Sequence, residues 1–198
     1  TVPTLTEISV PAVYPTPMEV TVGDTYADLS KVILDESLTG YADLLATKGM
    51  KAEGGVTVTV TIRDLAEFSY GADEGYILTV SPDAVKIEAQ TERGLHYAVM
   101  TLLQLTEEGK CPAVTVKDAP RNPLRGVIEG FYGTAWTHEY RKDLFAFMGE
   151  NKMNAYIYAP KDDPKHRAQW RSLYTGAELE RMTDLITTAN ENYVKFIY

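Results

Sequence analysis

Hydrophobic and polar positions change their period along this chain, and each change predicts an element. Val56, Val58, Val60 and Ile62 alternate with Thr57, Thr59 and Thr61, the period-two pattern of a strand with one apolar and one polar face. Tyr76–Val80 and Val85–Ala89 flank Ser81-Pro82-Asp83, where proline presets a turn angle, so the pair predicts a hairpin. Behind Thr91, a capping residue, Leu95, Ala98, Val99, Leu102 and Leu103 recur at three- and four-residue spacing. That spacing predicts a helix with one apolar stripe laid on the sheet. A second helix is predicted from about Leu29 to Leu45, interrupted near Gly40. No internal repeat or low-complexity tract is present.

Further along, buried strands alternate with amphipathic helices. Val127–Phe131 predicts a strand, Thr137 caps a helix running to about Asn151 with Tyr140, Leu144, Phe147 and Met148 facing inward, and Asn154–Tyr158 predicts the next strand. A long connection leads to a helix over about Ala177–Asn192, with Leu179, Met182, Leu185, Ile186 and Ala189 as its stripe, and Val194–Tyr198 begins a third strand. Strand, helix, strand, helix, strand predicts parallel right-handed units. A closed eight-stranded barrel needs roughly 250 residues, so Leu124–Tyr198 is expected to be only its opening.

Composition and charge sharpen this division. The 198 residues carry 19 Lys and Arg against 28 Asp and Glu, a net charge of -9. Before Leu124 there are 9 basic and 18 acidic residues, and from Leu124 on there are 10 of each. The acidity therefore belongs to the first segment, while 13 of the 20 aromatic residues fall in the second. The expected domains are an α+β domain, residues 1–123, and the start of a barrel, residues 124–198, with Pro120 and Pro123 breaking regular structure between them. An acidic chain without a basic block repels phosphate backbones and anionic membrane surfaces. No run of about 18 apolar residues forms a membrane span, and the single cysteine, Cys111, excludes an internal disulfide framework. The sequence begins at Thr1 without a methionine and without a signal peptide, which suggests a processed or trimmed start.

The first segment offers little chemistry. Asp73-Glu74 and Glu107-Glu108 fall in predicted turns and read as solvated surface. His96 has no partner at metal-ligand spacing, and Glu92-Arg93-Gly94 lacks the glycine pattern of a phosphate loop. The second segment places polar and glycine residues after its strands, where parallel α/β folds bind ligands. Gly130 and Gly133 let a ligand approach the backbone, Tyr132 and Trp136 offer amphipathic aromatic surface, and Lys161 offers a mobile cationic donor. These suit a sugar ring. The alternative is that the glycines only make turns, the aromatics only fill core and Lys161 only pairs with Asp162 or Asp163. His138-Glu139 lacks a second histidine four residues on and is not a zinc-protease motif; neither a metal nor a cofactor is expected.

The runs Arg125–Glu139 (RGVIEGFYGTAWTHE) and Asn151–Pro164 (NKMNAYIYAPKDDP), followed by Thr187–Asn192 (TTANEN), resemble glycoside hydrolase family 84, bacterial β-N-acetylglucosaminidases that also remove O-linked N-acetylglucosamine and are sometimes described as hyaluronidases. Ala135 departs from the proline common there and loosens that loop. The first segment, with Glu74-Gly75-Tyr76 and the Gly94–Leu105 stretch, resembles the α+β domain preceding the barrel in these enzymes. The resemblance implies that Gly130 offers backbone to sugar hydroxyls, Tyr132 lines the pocket near the acetamido group and Lys161 donates to a sugar hydroxyl. It implies substrate-assisted retaining hydrolysis, an exception to the two-carboxylate scheme, with a pair of aspartates after the fourth barrel strand whose pKa values must differ.

The chain reaches only the third strand, so no catalytic residue is assigned, and Asp162-Asp163, after the second strand between two prolines, is expected to order its loop rather than catalyse. The expectation is an inactive part of a glycosidase acting on N-acetylglucosamine-containing glycans or glycoproteins, extracellular or periplasmic, and able to self-associate through its incomplete barrel. The rivals are a non-catalytic carbohydrate-binding or adhesion module and a structural spacer.

Overall fold

A computed structural model describes residues 8–198; Thr1, where the sequence starts without methionine, lies outside them. The chain divides into two compact units, one ending at Arg121 and the other Asn122–Tyr198. The class is mixed α/β.

In the first unit the strands are β1 (Glu19–Asp28), β2 (Lys31–Leu34), β3 (Lys51–Ile62), β4 (Tyr76–Ser81), β5 (Ala84–Ala89) and β6 (Lys110–Asp118), and the helices are α1 (Ala42–Ala46) and α2 (Glu92–Leu105). They form one six-stranded sheet in the order β1-β6-β4-β5-β3-β2. The pairings from β1 to β5 are antiparallel, while β5-β3 and β3-β2 are parallel. The expected hairpin is β4-β5, with Leu78 opposite Ile87 and Val80 opposite Val85. These residues and Ala89 pack with Leu95, Ala98, Val99 and Leu102 of α2 in the unit's core. Thr91 caps α2 by accepting from the Gly94 N–H at 3.3 Å.

The helix expected over Leu29–Leu45 is corrected. Val32-Ile33-Leu34 is an edge strand, paired in parallel with Val56-Thr57-Val58. Asp35 then starts a 3-10 turn over Glu36–Tyr41, accepting from the Ser37 N–H at 3.1 Å and its hydroxyl at 2.8 Å, and its other oxygen accepts from the Val60 N–H at 3.2 Å. The β-branched pair Val32-Ile33 favours the sheet, so only Ala42–Ala46 is left as α-helix. Glu74 is also corrected: it is buried, with Arg93 at 3.9 Å, rather than solvated.

The second unit follows the expected order: β7 (Gly126–Glu129), α3 (His138–Glu150), β8 (Ala155–Tyr158), α4 (Ala177–Glu191) and β9 (Lys195–Ile197). The sheet is parallel, in the order β7-β8-β9. Asn154, 6 % exposed, ties the starts of all three strands together. Its carbonyl accepts from the Lys195 N–H, its side-chain oxygen accepts from the Arg125 N–H and its amide donates to the Pro123 carbonyl, at 2.8, 2.9 and 2.8 Å. Thr137 caps α3 by accepting from the Tyr140 N–H at 3.2 Å.

The inward face of α3 agrees in part with the expected one: Met148 is buried and Leu144 packs against the core. Arg141 and Phe145 join Met148 on the buried face in place of Tyr140 and Phe147, which are exposed. The stripe of α4 is narrower than expected: Leu185 and Ala189 are buried, while Leu179 and Ile186 are exposed.

Candidate functional site

The reason that a charged residue, Arg141, is on the inside lies at the C-terminal end of β7. Glu129 is fully buried, and a buried carboxylate needs a counter-charge and donors. Arg141 supplies both in a two-pronged pair, Nε to Oε2 and Nη2 to Oε1, each 2.8 Å. The Tyr156 hydroxyl donates to Oε2, and the Trp136 backbone N–H donates to Oε1 at 3.0 Å. Burial disfavours the Arg141 charge, but the bonds to Glu129 outweigh it and hold its pKa above the usual arginine value. Burial and the neighbouring carboxylate push the Tyr156 pKa well up, so its hydroxyl remains a donor. The Trp136 bond closes the loop that begins at Gly130, so one carboxylate fixes strand, helix and loop together.

A second carboxylate orders the loop after β8. Asp163 Oδ2 accepts from the hydroxyls of Tyr158 at 2.7 Å and Tyr174 at 2.5 Å, and Oδ1 accepts from the Lys165 N–H at 2.8 Å. Burial works to raise the Asp163 pKa, but the Tyr174 and Tyr158 hydroxyls and the backbone donors together hold it below the usual aspartate range. The Arg141 guanidinium carbon lies 5.1 Å from the Tyr158 ring centroid. A continuous contact path therefore runs from the Gly130 loop through Glu129, Arg141, Tyr158 and Asp163 to the Lys161 loop.

The three expected sugar-binding residues sit on these two loops. Gly130 is half-buried, and a Cβ added to it would meet only the Ile128 Cγ2, at 3.2 Å. Its missing side chain therefore relieves no backbone contact, and a methyl group there would press only on that Ile128 methyl. Gly133 has a φ of 103°, a backbone conformation that favours glycine. Tyr132 is 77 % exposed, so it does not fill core. Trp136 is half-buried between Phe131 and Tyr140, with ring centroids 5.2 and 5.4 Å away.

The loops are joined where the Lys161 N–H donates to the Phe131 carbonyl at 3.4 Å. The Lys161 ammonium makes no ion pair among the described residues, and Asp163 spends its bonds on tyrosines and backbone. Arg167, which the sequence did not single out, lies across both loops: its guanidinium is 6.0 Å from the Tyr132 ring centroid, and it donates to the Lys161 carbonyl at 3.3 Å. His138 is bonded to Asp184 at 2.6 Å, on the helices. A cleft of about 200 Å³ lined by His138, Arg141, Tyr158, Tyr174, Arg181 and Met182 includes none of the three expected residues. Among the described residues no group of three or more His, Cys, Asp or Glu could hold a metal ion, and no helix is long and apolar enough to cross a membrane.

Glu129 and Arg141 carry the geometry of the site but were not assigned it from sequence. The available signal was a carboxylate inside an apolar strand run, which demands a buried partner.

Known proteins place these features in a family. A model described as beta-N-acetylglucosaminidase matches residues 125–198, and one described as glycosyl hydrolase family 20, domain 2, matches residues 10–119. The protein O-GlcNAcase of Mus musculus is 44 % identical over 90 residues, 46 % of this chain and 10 % of the mouse protein. A beta-N-acetylhexosaminidase of Cellulomonas fimi is 33 % identical over 116 residues, 56 % of this chain and 23 % of its own. The solved structure of CpGH84B superimposes with a TM-score of 0.80 at 39 % identity, over 93 % of this chain and 36 % of that one. The chain thus spans between 10 % and 36 % of the length of these three relatives. Through residues 10–119 the chain belongs to the glycosyl hydrolase family 20 domain 2 family, and as a whole it corresponds to the N-terminal part of a family 84-like glycoside hydrolase.

Proposed function

We propose that this chain is the sugar-recognising first part of a retaining β-N-acetylglucosaminidase that removes terminal β-linked N-acetylglucosamine from glycans or glycoproteins. The observation that supports this most is the pairing of two loops at the C-terminal ends of adjacent parallel strands. Gly130 and the exposed Tyr132 stand on one loop and Lys161 on the other, tied by the Lys161 N–H and the Phe131 carbonyl. In this reading the backbone at Gly130 and the Lys161 ammonium bind sugar hydroxyls, and Tyr132 covers the acetamido side. The relatives' names, O-GlcNAcase and beta-N-acetylhexosaminidase, agree with a 2-acetamido sugar as ligand. The acetamido oxygen then acts as the internal nucleophile at C1, which requires one charged and one protonated carboxyl group. Asp163 does not supply either, since its oxygens are engaged by Tyr158, Tyr174 and Lys165. The sugar part of the reaction thus rests on this chain and the proton transfers on residues outside it. A site of action outside the cytoplasm and a barrel completed by further strands belong to the same proposal.

The test is twofold. Calorimetric titration with methyl β-N-acetylglucosaminide should show binding by the 198-residue chain that is lost in Lys161→Ala, while 4-nitrophenyl N-acetylglucosaminide is not turned over. Turnover by the purified chain overturns the division of labour. Absence of binding in both the chain and a longer polypeptide overturns the sugar site, and binding without hydrolysis in a longer polypeptide favours a carbohydrate-binding module instead.

A further inference from the structure

We infer that Arg167 is a positioning residue that holds Tyr132 and the Lys161 loop in register for the N-acetylhexosamine; this rests on the sugar-site reading above. Tyr132, at 77 % exposed, has too little surrounding packing to fix its ring, and Gly133 follows it at a φ of 103°, where the backbone turns away. Arg167 provides the missing constraint. Its guanidinium carbon lies 6.0 Å from the Tyr132 ring centroid, within the range where the ring's negative face attracts a cation. The same guanidinium donates from Nη1 to the Lys161 carbonyl at 3.3 Å. A planar fork with several donors makes both contacts at once, whereas an ammonium is a single point charge.

Arg167 is itself held from behind. Its N–H donates to the Pro164 carbonyl at 3.2 Å, one residue from Asp163, which three donors anchor. The contact path through Glu129 and Arg141 braces the two loops from the buried side; Arg167 braces them from the exposed side, where the sugar would lie. The lone backbone bond between Lys161 and Phe131, at 3.4 Å, is long and would not fix the spacing alone.

The test is an NMR titration of the chain with methyl β-N-acetylglucosaminide, following the Tyr132 ring resonances. Arg167→Ala should shift those resonances before sugar is added and weaken binding about three- to tenfold, in line with the loss of one exposed cation–π contact, the long, exposed hydrogen bond to the Lys161 carbonyl adding little. Arg167→Lys should recover only part of the affinity. In a Tyr132→Ala background the further loss from Arg167→Ala should fall to about twofold or less, because the two residues act as one unit. Trp170→Ala, on the same loop and 63 % exposed, should leave affinity and Tyr132 resonances unchanged. Equal affinity in Arg167→Ala, or losses that multiply independently of Tyr132, overturns the inference while leaving the sugar site standing. Absence of sugar binding in the unsubstituted chain overturns the sugar-site reading, and this inference with it.

Discussion

Two glycines four positions apart show how different demands fall on the same residue type. A Cβ on Gly126 would stand 1.6 Å from the Ala155 carbonyl oxygen, a backbone atom of the neighbouring strand that cannot move unless β7 and β8 part. A Cβ on Gly130 would meet a methyl group of Ile128 at 3.2 Å and nothing else. Gly126→Ala should therefore cost at least about 3 kcal/mol, the upper part of the range for overpacking, and Gly130→Ala less than about 1 kcal/mol. In sugar binding the order reverses: Gly130→Ala keeps its fold yet loses affinity, because its methyl group occupies space left for the ligand. Thermal unfolding of both variants beside the sugar titration checks this. Equal melting temperatures would show that the β7-β8 contact is softer than its geometry implies.

At the level of elements, the strands and helices with a clean period were legible in the sequence, and the misread ones each had a competing force. The alternation of Val56–Ile62 became β3, with Val56, Val58 and Val60 on the core though Ile62 is exposed, and the stripe of Leu95–Leu103 became α2, where local pattern and burial agree. Val20 and Val22 in β1 also alternate, but this edge strand is exposed along almost its whole length and breaks register between Val22 and Tyr26, so it carries little apolar signal. The inward face of α3 could not be read from apolar residues alone, since Glu129 draws a charged residue, Arg141, to the inside. In the site, the sequence located the loops of Gly130, Tyr132 and Lys161. The braces between the loops depend on hydroxyl and guanidinium contacts between residues up to 35 positions apart, such as Tyr132 and Arg167, and such contacts leave no periodic trace.

The Asp163 brace also makes the second unit sensitive to acid. Its pKa is depressed in the folded chain, so its contribution to stability is present above the ordinary aspartate value and is lost as pH falls below about 4 toward the folded value. Asp163→Asn should lower the melting temperature at pH 7, with the gap from the unsubstituted chain narrowing between pH 5 and pH 3. A gap that stays constant over that range would mean that the carboxylate charge does not matter and only the hydrogen-bond geometry does.

Across the whole molecule, surface left uncovered in the second unit decides how the chain behaves in solution. Ile128, Ile157 and Ile197 are paired in register across β7, β8 and β9. They form one apolar row on the sheet face opposite Tyr156 and Phe196, whose rings are buried or half-buried with Phe145 of α3. Ile128 is 62 % exposed, and among the described residues β7 and β9 each have one edge without a strand partner. An apolar row flanked by open strand edges is a template for pairing with another copy. The first unit works against this through charge: its acidic excess accounts for the whole net charge of -9, and like charges repel at low ionic strength over a Debye length of about 30 Å at 0.01 M. Association should therefore strengthen with salt, as screening removes the repulsion and leaves the apolar contact. Light scattering of the chain over a concentration series should show growth in mass that is greater at 0.5 M than at 0.01 M salt. Ile128→Lys, which places a charge at the exposed β7 end of the row, on the sheet face opposite Glu129, should suppress it. A monomer at every concentration and salt level would show that the exposed row is too small to drive association, and growth unchanged in Ile128→Lys would move the contact to another surface.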